Sequence, residues 1–476
     1  MNNSLEVFIE EFEFLASFHC GDLSVDEMQI SLKYSEIFPH KITGSLTGTV
    51  KKYNELVPLL NNQIQDEKLS FKSVNLKNQY KIFSSDSVSM PSFIYPLGYP
   101  KNVSFEIGKL ELRNLTISQE FNNNAERQIR FYLVGPQRIW NFICRYEVKD
   151  EKIEPKDFIK IDINEDLPFD LELNVIKFDK SDEYEKKLTH SYEVMSLTFI
   201  LKKTHNHIAD NELLELCTSY VNDILLLVSF IGRKRIEWFC YKFYSKKEII
   251  TFIRENRRTD DSEPDLHNAF LGYHNTLPFI DKSLPNYRNL KNNDFDLTAV
   301  IRYYLSSLEM PYLEAKFSTL FTSLEYIKTL YAKKYKMQKI VSDNMFKKKI
   351  SKLIKDDLKE IKNNHPKFQD DEMIKKLPEL NRMSFSSIIE KLCISYGFRL
   401  KSLYPLNEQV TLLSTRNKLI HEASIPIDVL LKEYYRLRLM TEILILKILN
   451  WDDLSNLYES HEMQLVTDSV EERKCT

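Results

Sequence analysis

The residues best equipped for chemistry lie in one short stretch, Ser414-Thr415-Arg416-Asn417-Lys418-Leu419-Ile420-His421-Glu422-Ala423. It places a guanidinium, an amide and an imidazole within six residues. In a helix, Asn417 and His421 are four apart and share a face. Arg416 lies five before His421 and points elsewhere, but its long side chain can bend back. Pro426 disfavours helical backbone at Ile425, so the helix is expected to end just after His421. An imidazole there sits among unpaired carbonyls at the negative end of the helix dipole, which favours the protonated ring. A histidine that changes charge near neutrality beside an arginine suits acid–base catalysis with a phosphate clamp. RNA cleavage of this kind requires no metal. The ribose 2′-hydroxyl can attack the adjacent phosphate once it is deprotonated and the phosphorane charge is stabilised. The bland alternative is an arginine paired with a carboxylate and a histidine that caps its helix.

The elements that must hold this stretch read as helices. From about Phe295 to Trp451 the apolar residues recur at helical spacing, and Leu313, Phe317, Leu320, Leu324, Ile327 and Tyr331 form one stripe on a long helix. Further helices are predicted over Asn344–Lys362, Phe385–Tyr396, Leu406–His421 and Pro426–Asn450, with Pro426 suited to a first turn. Short links between long amphipathic helices favour antiparallel neighbours in a bundle.

The first two hundred residues have a different period. Val103, Phe105 and Ile107 alternate with polar neighbours, as do Ile129, Phe131 and Leu133, then Phe169 to Val175, then Met195 to Leu201. Period-two alternation marks half-buried antiparallel strands. The fold class expected is therefore α+β and multidomain: a mostly antiparallel, sandwich-like β domain over 1–205, a mixed connecting region over 206–294, a helical bundle over 295–455 and a polar tail over 456–476. Within the connection, a helix capped near Asp210 is expected to stop near Gly232, a strand to follow over Ile236–Tyr244, and Arg254–Asn292 to form loop or short helices around Pro264, Pro278 and Pro285.

Composition narrows the classes. The 476 residues carry a net charge of −3, so any nucleic-acid surface must come from local clustering. Six cysteines are scattered without a CxxC pair, which argues against a zinc ribbon and a disulfide framework. Cys393, among apolar neighbours, is expected to be buried. The N-terminus lacks the pattern of a signal peptide, and the longest apolar runs are too short to span a bilayer. A cytoplasmic protein with no membrane partner is the expectation. There is no Walker motif, nucleotide-binding glycine fingerprint or nucleophile elbow. His205-Asn206-His207 with Asp210 lacks a further ligand at metal-binding spacing. No cofactor or metal is expected.

Charge does cluster in one place. Between Tyr331 and Lys367 there are twelve lysines against four acids, densest at Lys347, Lys348 and Lys349, with Lys352 close behind. This run is a candidate track for RNA phosphates, or else a solvated helix face. Smaller clusters, Arg233-Lys234-Arg235 and Arg254 with Arg257 and Arg258, read equally well as solvated helix ends.

Arg416-Asn417-Lys418-Leu419-Ile420-His421 resembles the Arg-x4-His signature of the HEPN superfamily, in which a polar residue, often Asn, follows the arginine. The frame is similar too: the motif lies late in a helical bundle, before one more apolar helix. The upstream Phe317-Ser-Thr-Leu-Phe-Thr-Ser-Leu-Glu325 resembles the family's first core helix with its acidic residue. A β-rich domain before such a bundle is similar in layout to ApeA-like proteins of bacterial anti-phage defence. The resemblance implies a metal-independent endoribonuclease of abortive infection. Two bundles would pair, as a homodimer or higher homo-oligomer, and bring two motifs into one cleft. It implies that Arg416 stabilises the scissile phosphate, His421 moves the proton, Asn417 orients them and Glu325 supports them. RNA, perhaps tRNA, would be the substrate, and the N-terminal domain would sense a phage-derived trigger or regulate the nuclease. A non-catalytic bundle serving dimerisation or nucleotide or RNA binding is the other class considered.

Overall fold

The computed structural model describes the strand backbones between 10 and 112 and between 146 and 193 and, with side chains, most of 114–119, 126–133, 167–174, 194–254, 276–365, 371–404, 408–422 and 425–454. The chain divides into two compact units, one of 1–225 with 234–268 and one of 226–233 with 269–476. The region 206–294, expected to be a connection, is thus shared out between them.

The layout is α+β. In the first unit, six antiparallel strands span 114–254. Phe169–Ser181 pairs with Leu188–Leu201, which pairs with Gln128–Val134, and next come Glu237–Tyr244, Glu248–Arg254 and Asn114–Glu120. The hydrogen-bonded path continues through Tyr80–Ser85, Leu69–Val74, Glu10–Cys20, Leu23–Tyr34, Ile42–Val50 and Val103–Leu112. The alternation in the sequence corresponds to burial: Ile129, Phe131, Leu171, Leu173, Leu197 and Phe199 are all buried. Edge-to-face ring contacts knit them together, with Phe131 against Phe199 at 5.7 Å and against Trp238 at 5.5 Å. The strand Leu188–Leu201 departs from simple alternation. Val194, Ser196 and Thr198 are buried as fully as the residues between them, because this strand is covered on both faces.

Helix α1, Asp210–Ile231, starts and stops where the sequence indicates. Its first residue is held by buried Arg127, which reaches the Asp210 carboxylate and donates to the Ile208 carbonyl at 2.8 Å. At its end the Gly232 N–H still donates to Val228, and Arg233 turns the chain at φ 50°. Among the described residues, α1 is the one helix long and apolar enough to cross a bilayer, and 61% of its most apolar window is buried inside the protein. Its apolarity is therefore that of a core helix.

The second unit is helical over 276–448. Its helices are α2 Tyr273–Asn292, α3 Thr298–Glu309, α4 Leu313–Lys334, α5 Lys352–Asn364, α6 Asp370–Lys376, α7 Phe385–Ser395, α8 Leu412–His421 and α9 Ile427–Ile448. α4 is central and packs against α3, α7, α8 and α9. Its predicted stripe is the core stripe: Phe317, Leu320, Leu324 and Ile327 have no exposed surface.

Two expectations need correction here. The proline-rich stretch before 292 is a 20-residue helix with Pro278 and Pro285 inside it. Each proline removes one helical hydrogen bond, but the helix fully buries Phe279, Ile280 and Leu284, and that packing outweighs local propensity. The helix predicted over Leu406–His421 begins only at Leu412. The residues before it are drawn into side-chain bonds with α9, described next.

Candidate functional site

Helix α8 is ten residues long, too short to persist alone in water. It is anchored at its N-terminal end. Thr411 precedes the helix but does not cap it. Its hydroxyl instead donates to Glu433 Oε1 on α9 at 2.9 Å. Glu433 is buried, and its other oxygen accepts from the Tyr404 hydroxyl at 3.0 Å. Arg436, 1% exposed, lies one turn further along α9. Its Nη1 donates to Glu433 at 2.7 Å, and the two Nη atoms grip Glu408 at 2.9 and 2.8 Å. The guanidinium also stacks 4.2 Å from the centre of the Tyr404 ring. Burial works against the Arg436 charge, but the bonds from Glu408 and Glu433 more than offset it and hold the group further toward its protonated form. Burial, seconded by Glu433, pushes the Tyr404 hydroxyl far up, so it is a donor at any physiological pH. This cluster fixes where α8 begins.

α8 then delivers the predicted residues. Leu412 and Thr415 are buried, while Arg416 is half-buried. The Arg416 guanidinium lies over the Phe321 ring at 5.7 Å. Its Nη1 donates to Asn417 Oδ1 at 3.2 Å, and its Nη2 lies 3.8 Å from Glu325 Oε1. Arg416, Asn417 and Glu325 are therefore together. Phe321, which supplies the surface under the arginine, stacks on Phe385 of α7 at 5.2 Å. It was legible in the sequence only as a turn-neighbour of Glu325 on the same helix.

His421 is the last residue of α8 and is exposed. Among the described residues it has no hydrogen-bond or ion-pair partner, and it does not meet Arg416. Helix geometry explains this. Five residues rotate the chain by about 500°, so the two side chains leave the helix about 140° apart and about 7.5 Å apart along its axis.

Lys347, Lys348 and Lys349 lie in a π-helical turn, Phe346–Ser351, that leads into α5, where Lys352 is the first residue. All four lysines are exposed. Phe346 and Leu358 anchor the segment, while Ile350 and Leu353 remain exposed beside the lysines. Among the described residues, none of these lysines touches Arg416, Asn417 or His421.

Other candidates separate cleanly. Arg233 is not a solvated helix end. It is 7% exposed and chelates Glu442 of α9, donating from Nε at 2.9 Å and from Nη2 at 2.8 Å. Glu442, with no exposed surface, also accepts from the Tyr304 hydroxyl. Arg254 lies over the Trp238 ring at 5.1 Å. His205 is half-buried and His207 exposed, and the Asp210 beside them is engaged by Arg127. Among the described residues no group of three or more His, Cys, Asp or Glu is placed to hold a metal. Cys393 is buried, as are Cys217 and Cys240.

Compared with protein-family models, with curated proteins and with solved structures, the chain finds no match in any of the three.

Proposed function

We propose that the helical unit is a metal-independent HEPN-type endoribonuclease acting through Arg416 and His421. Within this reading, the bundle pairs with a second copy and the sandwich-like β unit senses or regulates. The setting is bacterial anti-phage defence by abortive infection, in the cytoplasm, with a phage-derived trigger and RNA, including tRNA, as substrate.

One observation carries the reading. A guanidinium that lies over Phe321 beside a long ion pair is accessible, while an exposed imidazole, without a partner among the described residues, ends the same short helix. A purely structural arginine is expected to be more tightly enclosed, as Arg436 is. A histidine that merely packs would be covered.

The chemistry is a transesterification. The 2′-hydroxyl loses its proton to His421, and its oxygen forms a bond to phosphorus. The bond from phosphorus to the 5′ oxygen breaks, and that oxygen takes a proton from an imidazolium. The product is a 2′,3′-cyclic phosphate and a free 5′-hydroxyl. Arg416 neutralises charge on the non-bridging oxygens, and Asn417 and Glu325 fix its direction. Because Arg416 and His421 diverge within one chain, two copies in one cleft supply what one lacks: a base, an acid and two guanidinium groups.

Purified full-length protein incubated with total RNA and EDTA tests this, with end-group analysis of the products. Expected is cleavage that leaves cyclic phosphate ends and is lost in Arg416→Ala and His421→Ala, both of which melt like the parent. Cleavage by either variant at the parental rate would remove the assignment. The competing class, a bundle that binds RNA without cutting it, draws on Glu325, whose carboxylate occupies part of the guanidinium. Binding without any cyclic phosphate product, under conditions where the protein is toxic to cells, selects that class.

A further inference from the structure

Two tyrosines stand out on the surface of the helical unit. Tyr303 on α3 and Tyr326 on α4 are 38% and 41% exposed. Their rings stack on each other with centroids 5.4 Å apart and planes inclined by 29°. Exposed large aromatics are costly to leave in water, and a stacked pair that buries neither ring is a poor core element. No other exposed aromatic among the described residues is stacked in this way; Tyr312, more exposed still, has no ring partner.

Their position ties them to Arg416. Tyr326 follows Glu325 directly, so its side chain leaves α4 about 100° around the helix from the residue that pairs with Arg416. On the Glu325 side, Phe321 and Glu325 meet α8. On the other side, Ser323 donates to the Val300 carbonyl and Tyr326 meets Tyr303, both contacts with α3. The strip of α4 between them carries Thr322 and Thr329. The two threonine hydroxyls are turned back onto their own helix, donating to the Ser318 and Glu325 carbonyls at 3.0 and 2.7 Å. This strip lies between the guanidinium on one side of α4 and the tyrosine pair on the other. They are separated by about one helix diameter, on the order of 10 Å. Arg302, next to Tyr303 in sequence, is an exposed cation on α3.

We infer that Tyr303 and Tyr326 form a stacking platform for an unpaired base of single-stranded RNA whose backbone crosses α4 to reach Arg416. The inference rests on the ribonuclease reading and adds a substrate class to it. Aromatic faces at a cationic groove accept any base, because every base has a π-face. They do not accept a base held within a duplex. A phosphate at Arg416 with a neighbouring base on Tyr326 holds the linkage from two points, which aids alignment of the 2′-oxygen with the scissile bond. The path thus selects loops and single-stranded segments over paired stems. The pairing of the two rings with each other pre-orders Tyr326, so less rotamer freedom is lost on binding.

The test is equilibrium binding by the full-length protein to a short single-stranded RNA with 2′-O-methyl riboses, which block cleavage, and one 2-aminopurine. Anisotropy gives the affinity, and quenching of 2-aminopurine reports stacking. Expected is quenching by the parent and by Tyr326→Phe with similar affinity. Tyr326→Ala is expected to bind roughly tenfold more weakly, within the range found for removal of one base-stacking side chain, and to lose the quenching. Tyr303→Ala is expected to fall between them. A fully paired duplex of the same sequence is expected to show no difference between parent and Tyr326→Ala. If both tyrosine variants bind and quench like the parent while Arg416→Ala is weakened, the platform is wrong and the ribonuclease reading stands. If the parent binds no RNA, both fall. Light scattering on the same samples decides the remaining case. A loss of affinity that simply tracks loss of a dimer in Tyr326→Ala, with 2-aminopurine unquenched by the parent, makes the tyrosines an interface between copies and overturns the proposal.

Discussion

Removing Arg436 should destabilise the helical unit by about 3 kcal/mol, the low end of the range for breaking a buried ion pair. The reasoning runs through its partners. Arg436→Ala deletes two bonds to Glu408 and one to Glu433. Glu408 is 32% exposed and recovers water when released. Glu433 is 2% exposed and does not. Glu433 keeps the hydroxyl bonds from Tyr404 and Thr411, so its carboxylate is only partly stranded, and the upper end of the range is not reached. For a unit of this size, each kcal/mol moves the melting temperature by about 2–4 °C, so the helical transition should fall by roughly 6–12 °C. Circular dichroism at 222 nm during heating and in urea measures it. The double variant Arg436→Met, Glu433→Leu leaves no buried charge unpaired but takes the acceptor from the Tyr404 and Thr411 hydroxyls, so it should recover only part of the loss. Arg436→Ala also releases Glu408, just ahead of α8, so it should loosen the start of the helix and expose the Thr415 amide, bonded to the Thr411 carbonyl, to faster hydrogen exchange. A shift below about 1 kcal/mol, or an unaltered exchange pattern in α8, would show that the cluster does not anchor the helix.

Two further outcomes are expected. Replacing Lys347, Lys348 and Lys349 together by Gln should weaken binding of single-stranded RNA and flatten its salt dependence by about 0.7 per lost phosphate contact, or about 2 if all three make contact; an unchanged slope takes this run out of the RNA path. Cys393, whose thiol burial pushes up to about 12, should resist iodoacetamide at pH 8, where only about one thiol in ten thousand is ionised, and should label once the chain is unfolded. Because the folded value is the raised one, its contribution to stability is complete below the unfolded thiol's value and declines as pH rises from there toward 12. Rapid labelling of Cys393 in the native protein, read by mass spectrometry, would contradict its packing.

The sequence was most legible where one period dominated. Phe317 to Tyr331 on α4 and Ile129 to Leu133 in the sheet could be assigned from spacing alone, because a single buried face dictates residue type at each repeat. Asp210 and Gly232 marked the ends of α1 through ordinary helix-end chemistry. Long-range pairing was what the sequence hid. Nothing local distinguishes Arg233, buried on Glu442, from a solvated arginine at a helix end, since the partner lies 209 residues away. The late start of α8 depends on Arg436 and Glu433, which occur in the next helix. Pro278 and Pro285 signalled a break that the burial of Phe279, Ile280 and Leu284 overrides. Of the candidate site, Arg416, Asn417 and His421 were legible as a motif. The Phe321 ring under Arg416 and the Tyr303–Tyr326 pair emerge only when α3, α4 and α8 are assembled.

The contrast between the arginines of this unit bears on how the site works. Arg436 and Arg233 make short, multiple bonds to carboxylates they cannot leave without stranding a buried charge. Among the described residues Arg416 has a single carboxylate neighbour, at 3.8 Å, with both side chains about one third exposed. A pair of that kind contributes at most about 1 kcal/mol, less than a phosphate offers through charge-assisted bonds to two guanidinium nitrogens. The Phe321 ring, 5.7 Å from the guanidinium carbon, is a contact that does not depend on Glu325. In the proposed nuclease, Glu325 would be an exchangeable partner that orients Arg416 until a substrate phosphate replaces it. The α8 anchor has to be strong for this to hold, because a helix of ten residues could not otherwise present a weakly tethered arginine in one direction. On that proposal rigidity resides in the buried cluster at the start of α8, and exchangeability in the long Arg416–Glu325 pair.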